Sequence, residues 1–263
     1  MTVRLTERDL QMLVKCALCR WLTTDQLRRL YFPAATLNAV QKRLRKLSEA
    51  GYLRSYREHP TSESVHALGP KGKPLVEERG IEATLVDEVP RQMAHLLGVN
   101  QVRVAVEQSA VPVGYFFAYW QLADLGWRYP VIPDAVFAAC VPERRTFLVE
   151  YDRGTETLDK LSEKLRRYAD GLEGFAFEAV LIVTEEMRRF DLVSREMRRK
   201  QVSVPALVST LEEIRGAGVF EAAFMEVPGG IRRKILEGNE DRAEAEDQAL
   251  LSGSPFVRRA GTR

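Results

Sequence analysis

Residues 132–156 read IPDAVFAACVPERRTFLVEYDRGTE. Two apolar runs, VIPDAVFAAC and TFLVEYD, flank a polar turn at Glu143, Arg144 and Arg145, which is the pattern of a β-hairpin. Three carboxylates, Asp134, Glu150 and Asp152, stand beside strands that read as buried. Period-two alternation puts Leu148, Glu150 and Asp152 on one face and Phe147, Val149 and Tyr151 on the other. If Asp134 lies opposite on the neighbouring strand, three carboxylates converge. Such a cluster repels itself unless a cation sits within it. Magnesium, which takes carboxylate oxygen and water, answers that need, and a Mg²⁺ so held activates water and stabilises a phosphoryl transition state.

The chain continues in the same style downstream. TLDKLSEKLRRYADGL, residues 157–172, is a helix with Leu158, Leu161 and Leu165 inward and Lys160, Lys164, Arg166 and Arg167 on other faces. FEAVLIVTE, residues 177–185, is the continuous apolar run of a strand buried on both faces. A helix over 186–200, a short strand over 202–208, a helix over 209–216 and a last strand, VFEAAFMEV, complete an α/β layer with a mixed sheet. That layer is expected to span 91–235. The tail, 238–263, is polar and is expected to be mobile, with some helix in it. Upstream, GYFFAYWQLADL (114–125) reads as mostly buried and is open between helix and strand, the end of a helix leading into a strand being one arrangement. Before it lies a helix over about 91–109 with Met93, Leu96, Leu97, Val102 and Val106 as its apolar stripe, and His95 in it is assigned to packing or hydrogen bonding at a domain joint.

The first eighty residues form a different unit. Thr6 precedes an amphipathic helix, RDLQMLVKCALCRW, with Leu10, Leu13, Val14, Ala17 and Leu18 at helical spacing. Thr23 or Thr24 caps a short second helix, and Thr36 caps a third, LNAVQKRLRKLSEAG, stopped by Gly51. In the third helix Val40, Leu44 and Leu47 face inward, while Asn38, Gln41, Lys42 and Arg45 face out. Cationic and amide side chains of this kind reach phosphates and base edges in the major groove. YLRSYRE and VHALGPKG then form a hairpin around HPTSES. A helix near 71–80 closes the unit, and a connector over 81–90 ends at Pro90. Helix, helix, basic helix and hairpin is the order of a winged helix-turn-helix, whose wing would set Arg54 and Arg57 on phosphate. Cys16 and Cys19 form a CxxC inside the first helix, with Cys16 off the apolar stripe. With no second pair at zinc spacing, they read as ordinary helix residues.

A chain of 263 residues with 45% hydrophobic content predicts two domains with proper cores. No apolar run approaches a membrane span, the N-terminus has no signal-peptide core, and three cysteines without a disulfide framework predict the cytoplasm. Residues 1–80 carry 15 Lys and Arg against 8 Asp and Glu, a balance of +7, while the remainder carries 24 against 29, or −5. The basic end points to a polyanion partner.

PDA, a turn, FLVEYDRGTE and a helix with Lys164 and Tyr168 resemble the replication-relaxation family of bacterial plasmids and other mobile elements. The resemblance covers roughly residues 5–235 and includes the winged helix in front. It implies an α+β protein: a winged helix-turn-helix over 1–80 followed by a restriction-endonuclease-like domain. The PD…ExD core is similar to PD-(D/E)xK nucleases, whose order is αβββαβ and whose acids bind Mg²⁺ or Mn²⁺, here through Asp134 and Glu150. Their pattern places a lysine two residues after the second acid, where this chain has Asp152. Some relatives supply the lysine from the following helix, which points to Lys164 or Lys160. Otherwise Asp152 would join an ion-pair network with Arg153 or Arg166. Three functions stay open. The first is a DNA-binding accessory or regulatory protein of a mobile element, partnered by double-stranded DNA, a second copy of itself, and replication or mobilisation proteins. The second is a metal-dependent endonuclease or nickase using Asp134, Glu150, Asp152 and Lys164. The third is a protein-binding adaptor.

Overall fold

The computed structural model describes residues 3–86, 88–172 and 175–237. The expected mobile tail, 238–263, lies outside them. Helix α1 (Glu7–Cys19), strand β1 (Leu22–Thr23), helices α2 (Thr24–Tyr31) and α3 (Leu37–Glu49), strands β2 (Leu53–Tyr56) and β3 (Val65–Leu68), and helix α4 (Lys73–Glu77) form the first unit. Thr6, Thr23 and Thr36 each cap a helix by accepting the backbone N–H three residues on. Gly51 ends α3 at φ +83°. The wing strands β2 and β3 pair antiparallel, and β1 pairs with the other edge of β3. This is a winged helix-turn-helix. Val40, Leu44 and Leu47 of α3 are buried as expected.

The stripe on α1 differs from the one read from spacing. Met12, Leu13, Cys16 and Cys19 are buried, with Leu10, Val14 and Ala17 at the margin. The inward face is turned toward β3 and α4, and Asp9 on that face is held by Arg43 and Thr6. Cys16 is therefore core, and burial pushes both thiols of the CxxC up, away from the reactive thiolate.

The second unit runs α5 (Met93–Glu107), β4 (Val113–Ala118), α6 (Tyr119–Leu122), β5 (Ala135–Cys140), β6 (Arg144–Asp152), α7 (Leu158–Gly171), β7 (Ala179–Thr184), α8 (Met187–Arg199), β8 (Ala206–Thr210), α9 (Leu211–Ala217), β9 (Phe224–Val227) and β10 (Arg232–Arg233). Its seven-stranded sheet has the order β10-β9-β8-β7-β6-β5-β4. β4, β5 and β6 pair antiparallel, β6, β7 and β8 parallel, and β9 returns antiparallel. Apart from the four-residue helix α6 between β4 and β5, the segment from α5 to β7 has the αβββαβ order. Around residues 113–122, open between helix and strand in the sequence, the strand comes first and the short helix second, with Phe116 and Ala118 facing the core that α5 covers.

One core lies on each face of the sheet. Phe147, Val149 and Tyr151 join α5 and α9 on one side, while Leu148, Leu165, Tyr168, Phe190 and Val193 pack under α7 and α8 on the other. The alternation read from TFLVEYD is thus the division between the two layers. Helix α5 is not a one-striped helix. Every residue from Gly98 to Val106 is buried, because the winged unit packs on its outer side. Trp21, Val65 and Ala67 share its core. Asn100 Nδ2 donates to Cys19 O at 2.9 Å and Trp21 O at 2.8 Å, Gln26 Nε2 donates to Leu97 O at 2.9 Å, and Trp120 Nε1 donates to Leu18 O at 3.0 Å. Lys15 of α1 and Arg103 pair with Glu107 at 2.6 and 2.9 Å. Gly98 lets the Tyr151 ring lie directly on the helix: a Cβ there would sit 1.9 Å from Tyr151 Cε1.

Candidate active site

Asp134 sits just ahead of β5, where its N–H donates to Val149 O and its C=O accepts from Tyr119 N, both at 2.9 Å. These bonds fasten it to the mouth of β6. Its Oδ2 accepts the Tyr151 N–H at 2.8 Å, and its Oδ1 takes His95 Nε2 at 2.9 Å. Glu150, one residue before Tyr151, points to the other layer. There the spacing of α7 matters: Leu161, Leu165 and Tyr168 pack inward, and Lys164, three residues after Leu161 and four before Tyr168, lies on the same side as those two. Lys164 Nζ meets Glu150 Oε2 at 2.5 Å, and the Tyr168 hydroxyl donates to Glu150 Oε1. Lys160 is exposed and lines a neighbouring groove. The lysine that reaches the acids is Lys164.

The acids line a cleft of about 400 Å³, with His95 and Lys164 on its walls. Glu150 is only 5% exposed. Burial and then the neighbouring Asp134 charge push its pKa up to about 7. Burial pulls the Lys164 ammonium down, but Glu150 and Asp134 outweigh it and hold the pKa above the ordinary lysine value. His95 behaves likewise: burial lowers it, while the Asp134 hydrogen bond and charge carry it above its ordinary value. Burial and Glu150 hold the Tyr168 hydroxyl well above its usual range, so it stays a donor.

Asp152 stands apart from this pair. Its Oδ2 accepts from Arg189 Nε at 2.8 Å and its Oδ1 from Gly154 N at 2.7 Å. Arg189 also donates to Glu156 O at 2.8 Å, fixing the loop that floors the cleft. The three-carboxylate convergence does not form, because an arginine from α8 neutralises the third acid. The partner is neither of those expected: Arg153 pairs with Glu185 and Arg166 with Glu163. Among the described residues, no three histidine, cysteine, aspartate or glutamate side chains are placed to hold a metal ion. Two carboxylates facing a cleft nonetheless suit a hard cation that takes its remaining ligands from water and phosphate. Burial first, and then the Asp134 charge, disfavour the Glu150 carboxylate, and a cation held between the two acids would offset both. His95, expected to pack or hydrogen-bond at a domain joint, does hydrogen-bond, and its partner is the site acid Asp134. Nothing in the local sequence marks that pairing, since Asp134 lies 39 residues away.

On the winged unit, Asn38, Gln41, Lys42 and Arg45 are all exposed along α3. Arg45 makes only a loose pair with Glu49 at 3.8 Å. Arg54 is half-buried and donates to Val86 O at 2.9 Å, which turns it toward the connector. Arg57 is exposed on the wing and donates to Ser64 Oγ at 2.7 Å.

The fold is a winged helix-turn-helix unit packed on an α/β layer with a mixed seven-stranded sheet, which carries the cleft. The family model for replication-relaxation proteins matches residues 13–179, more than half of the chain, and this protein belongs to that family. Comparison with curated proteins and with solved structures found no match.

Proposed function

We propose that this protein acts on DNA in the replication or mobilisation of a plasmid or other mobile element. Its winged helix holds duplex DNA, and its cleft makes a Mg²⁺- or Mn²⁺-dependent break in the backbone. The observation that carries the reading is the meeting of Lys164 with Glu150 beside Asp134 on an αβββαβ frame. Asp134 and Glu150 would hold the divalent cation, which supplies charge neutralisation at phosphate and an activated water. The chain's own groups do the rest. Lys164 keeps a positive charge at the cleft wall, where a phosphate oxygen gains negative charge. Tyr168 fixes the Glu150 carboxylate by donating to it, and His95 with the Tyr151 N–H fixes Asp134. On the winged unit, Lys42 and Arg45 meet phosphate while Asn38 and Gln41 face the bases, and Arg57 reaches phosphate from the wing.

The test is nicking of supercoiled plasmid with Mg²⁺ or Mn²⁺. Glu150→Gln and Lys164→Met should each abolish it, and the double variant Lys42→Ala/Arg45→Ala should weaken duplex binding strongly. Nicking that persists in Glu150→Gln defeats the cutting reading. A second reading is favoured by the hydrogen-bond pattern: all four oxygens of Asp134 and Glu150 already have protein partners. In that reading the nuclease-like layer binds DNA or assembly partners without cutting, and duplex binding proceeds normally with no nicking under either metal.

A further inference from the structure

Helix α8 reads MRRFDLVSREMRR, five arginines against Asp191 and Glu196. It buries Phe190, Val193, Ser194 and Met197 against the sheet. Arg188, Arg195 and Arg199, spaced seven and four residues apart, therefore form one row on its outer face, and all three are exposed. Arg198 flanks the row, also exposed, and its Nε donates to Ser194 O at 3.1 Å. Among the described residues, Arg188 and Arg195 form no ion pair. Like charges at this spacing oppose one another and give the helix no stability. Arg199 is the exception, donating to Glu196 at 2.9 and 2.5 Å; Arg188 and Arg195 contribute nothing to the fold that neutral polar side chains would not.

Two placements say what it meets. Arg189, next to Arg188, reaches Asp152 and the Glu156 carbonyl, both of which line the cleft, so the row begins one residue from the arginine that anchors the cleft loop. And α8 packs on the α7 face of the sheet, while the winged unit shares the core of the α5 face. Phosphates held by α8 are thus not those held by α3. We infer that the outer face of α8 is a second phosphate track, along which the DNA backbone continues from the cleft. This rests on the DNA reading above and extends it to a substrate gripped on both faces of the sheet. At ~1.5 Å per residue the row spans about 10 Å and then about 6 Å, roughly three and two nucleotides at ~3.4 Å each.

The test is binding of a fluorescent 40-bp duplex in EDTA, followed by anisotropy across salt, so that cutting plays no part. Neutralising three charges in Arg188→Gln/Arg195→Gln/Arg198→Gln should lower the slope of log affinity against log salt by about 2 to 3, at ~0.9 per phosphate released. The corresponding triple lysine variant should keep the parent slope, and both should melt with the parent. Lys42→Gln/Arg45→Gln should lower the slope separately. A triple glutamine variant whose slope stays within about 0.5 of the parent, at less than one phosphate's contribution, overturns the track. Retention of that slope together with lost capture of an acidic protein would make the row a protein surface and also overturn it. If the parent binds no duplex, both this inference and the DNA reading fall. If the slope drops but nicking is absent, the track stands and only the cutting is lost.

Discussion

Replacing Gly98 by alanine pits two effects of opposite sign against each other. On helix propensity alone, alanine in a helix interior is better than glycine by about 0.8–1.0 kcal/mol. The structure argues the other way. The new Cβ would lie 1.9 Å from Tyr151 Cε1, 2.2 Å from Cζ and 2.6 Å from Cδ1, where ordinary contact begins at 3.4 Å. A gap of about 1.5 Å must open in a packed interior, and overpacking of a well-filled core costs about 1–3 kcal/mol. Tyr151 has little room to yield. It is 5% exposed, its strand is paired on both sides, and its N–H is committed to Asp134. Taking the upper end and subtracting the propensity gain leaves a net loss of about 2 kcal/mol. For a chain of this size that is a fall of about 4–8 °C in Tm. The assay is thermal and urea unfolding of Gly98→Ala, alone and with Tyr151→Leu. In the leucine background most of the penalty should vanish, a coupling of about 2 kcal/mol. A Gly98→Ala protein that melts at or above the parent refutes the close-packing account.

His66, buried between Thr24 Oγ1 at 3.0 Å and Ser55 Oγ at 2.8 Å, is pushed from its ordinary 6.5 down to about 4 by burial and then by the Arg57 charge. A lowered histidine pKa means that the unfolded chain binds the proton first. Stability is therefore whole above pH 6.5 and falls by up to about 3 kcal/mol as the pH drops toward 4; urea titrations should show this slope flattened in His66→Gln. Asn100→Leu leaves the Cys19 and Trp21 carbonyls without their donor, and denaturant unfolding should show a loss of about 2–4 kcal/mol. Arg189→Met should leave the buried Asp152 carboxylate without its cation, so that urea unfolding shows a loss of about 3–5 kcal/mol and limited proteolysis near Gly154 quickens.

The hairpin around residues 132–156 was readable because a strand half-shared between two layers alternates strictly, and Phe147 to Asp152 obey that rule. The winged helix was readable through its threonine caps and Gly51. Lys164 could be named because α7 has clear amphipathic spacing. What escaped reading depends on distant packing. Helix α5 is buried all round by two units, so its outward residues carry no polar pattern. His95 and Arg189 reach the cleft from elements 39 and 37 residues from their partners, with no local signature. Arg54 reads as a wing cation, yet the connector folds back and offers it the Val86 carbonyl.

The shared burial of α5 bears on how this chain can be dissected. Trp21, Val65 and Ala67 lie in the same core as Val99, Val102 and Tyr151. A cut between residues 80 and 91 would bare an indole and two backbone carbonyls rather than a finished surface. The winged unit is not a detachable cassette, and grafting it onto another protein would require carrying α5 with it. The two halves should also melt in a single cooperative transition, and an event at one can be felt at the other through a helix that both depend on.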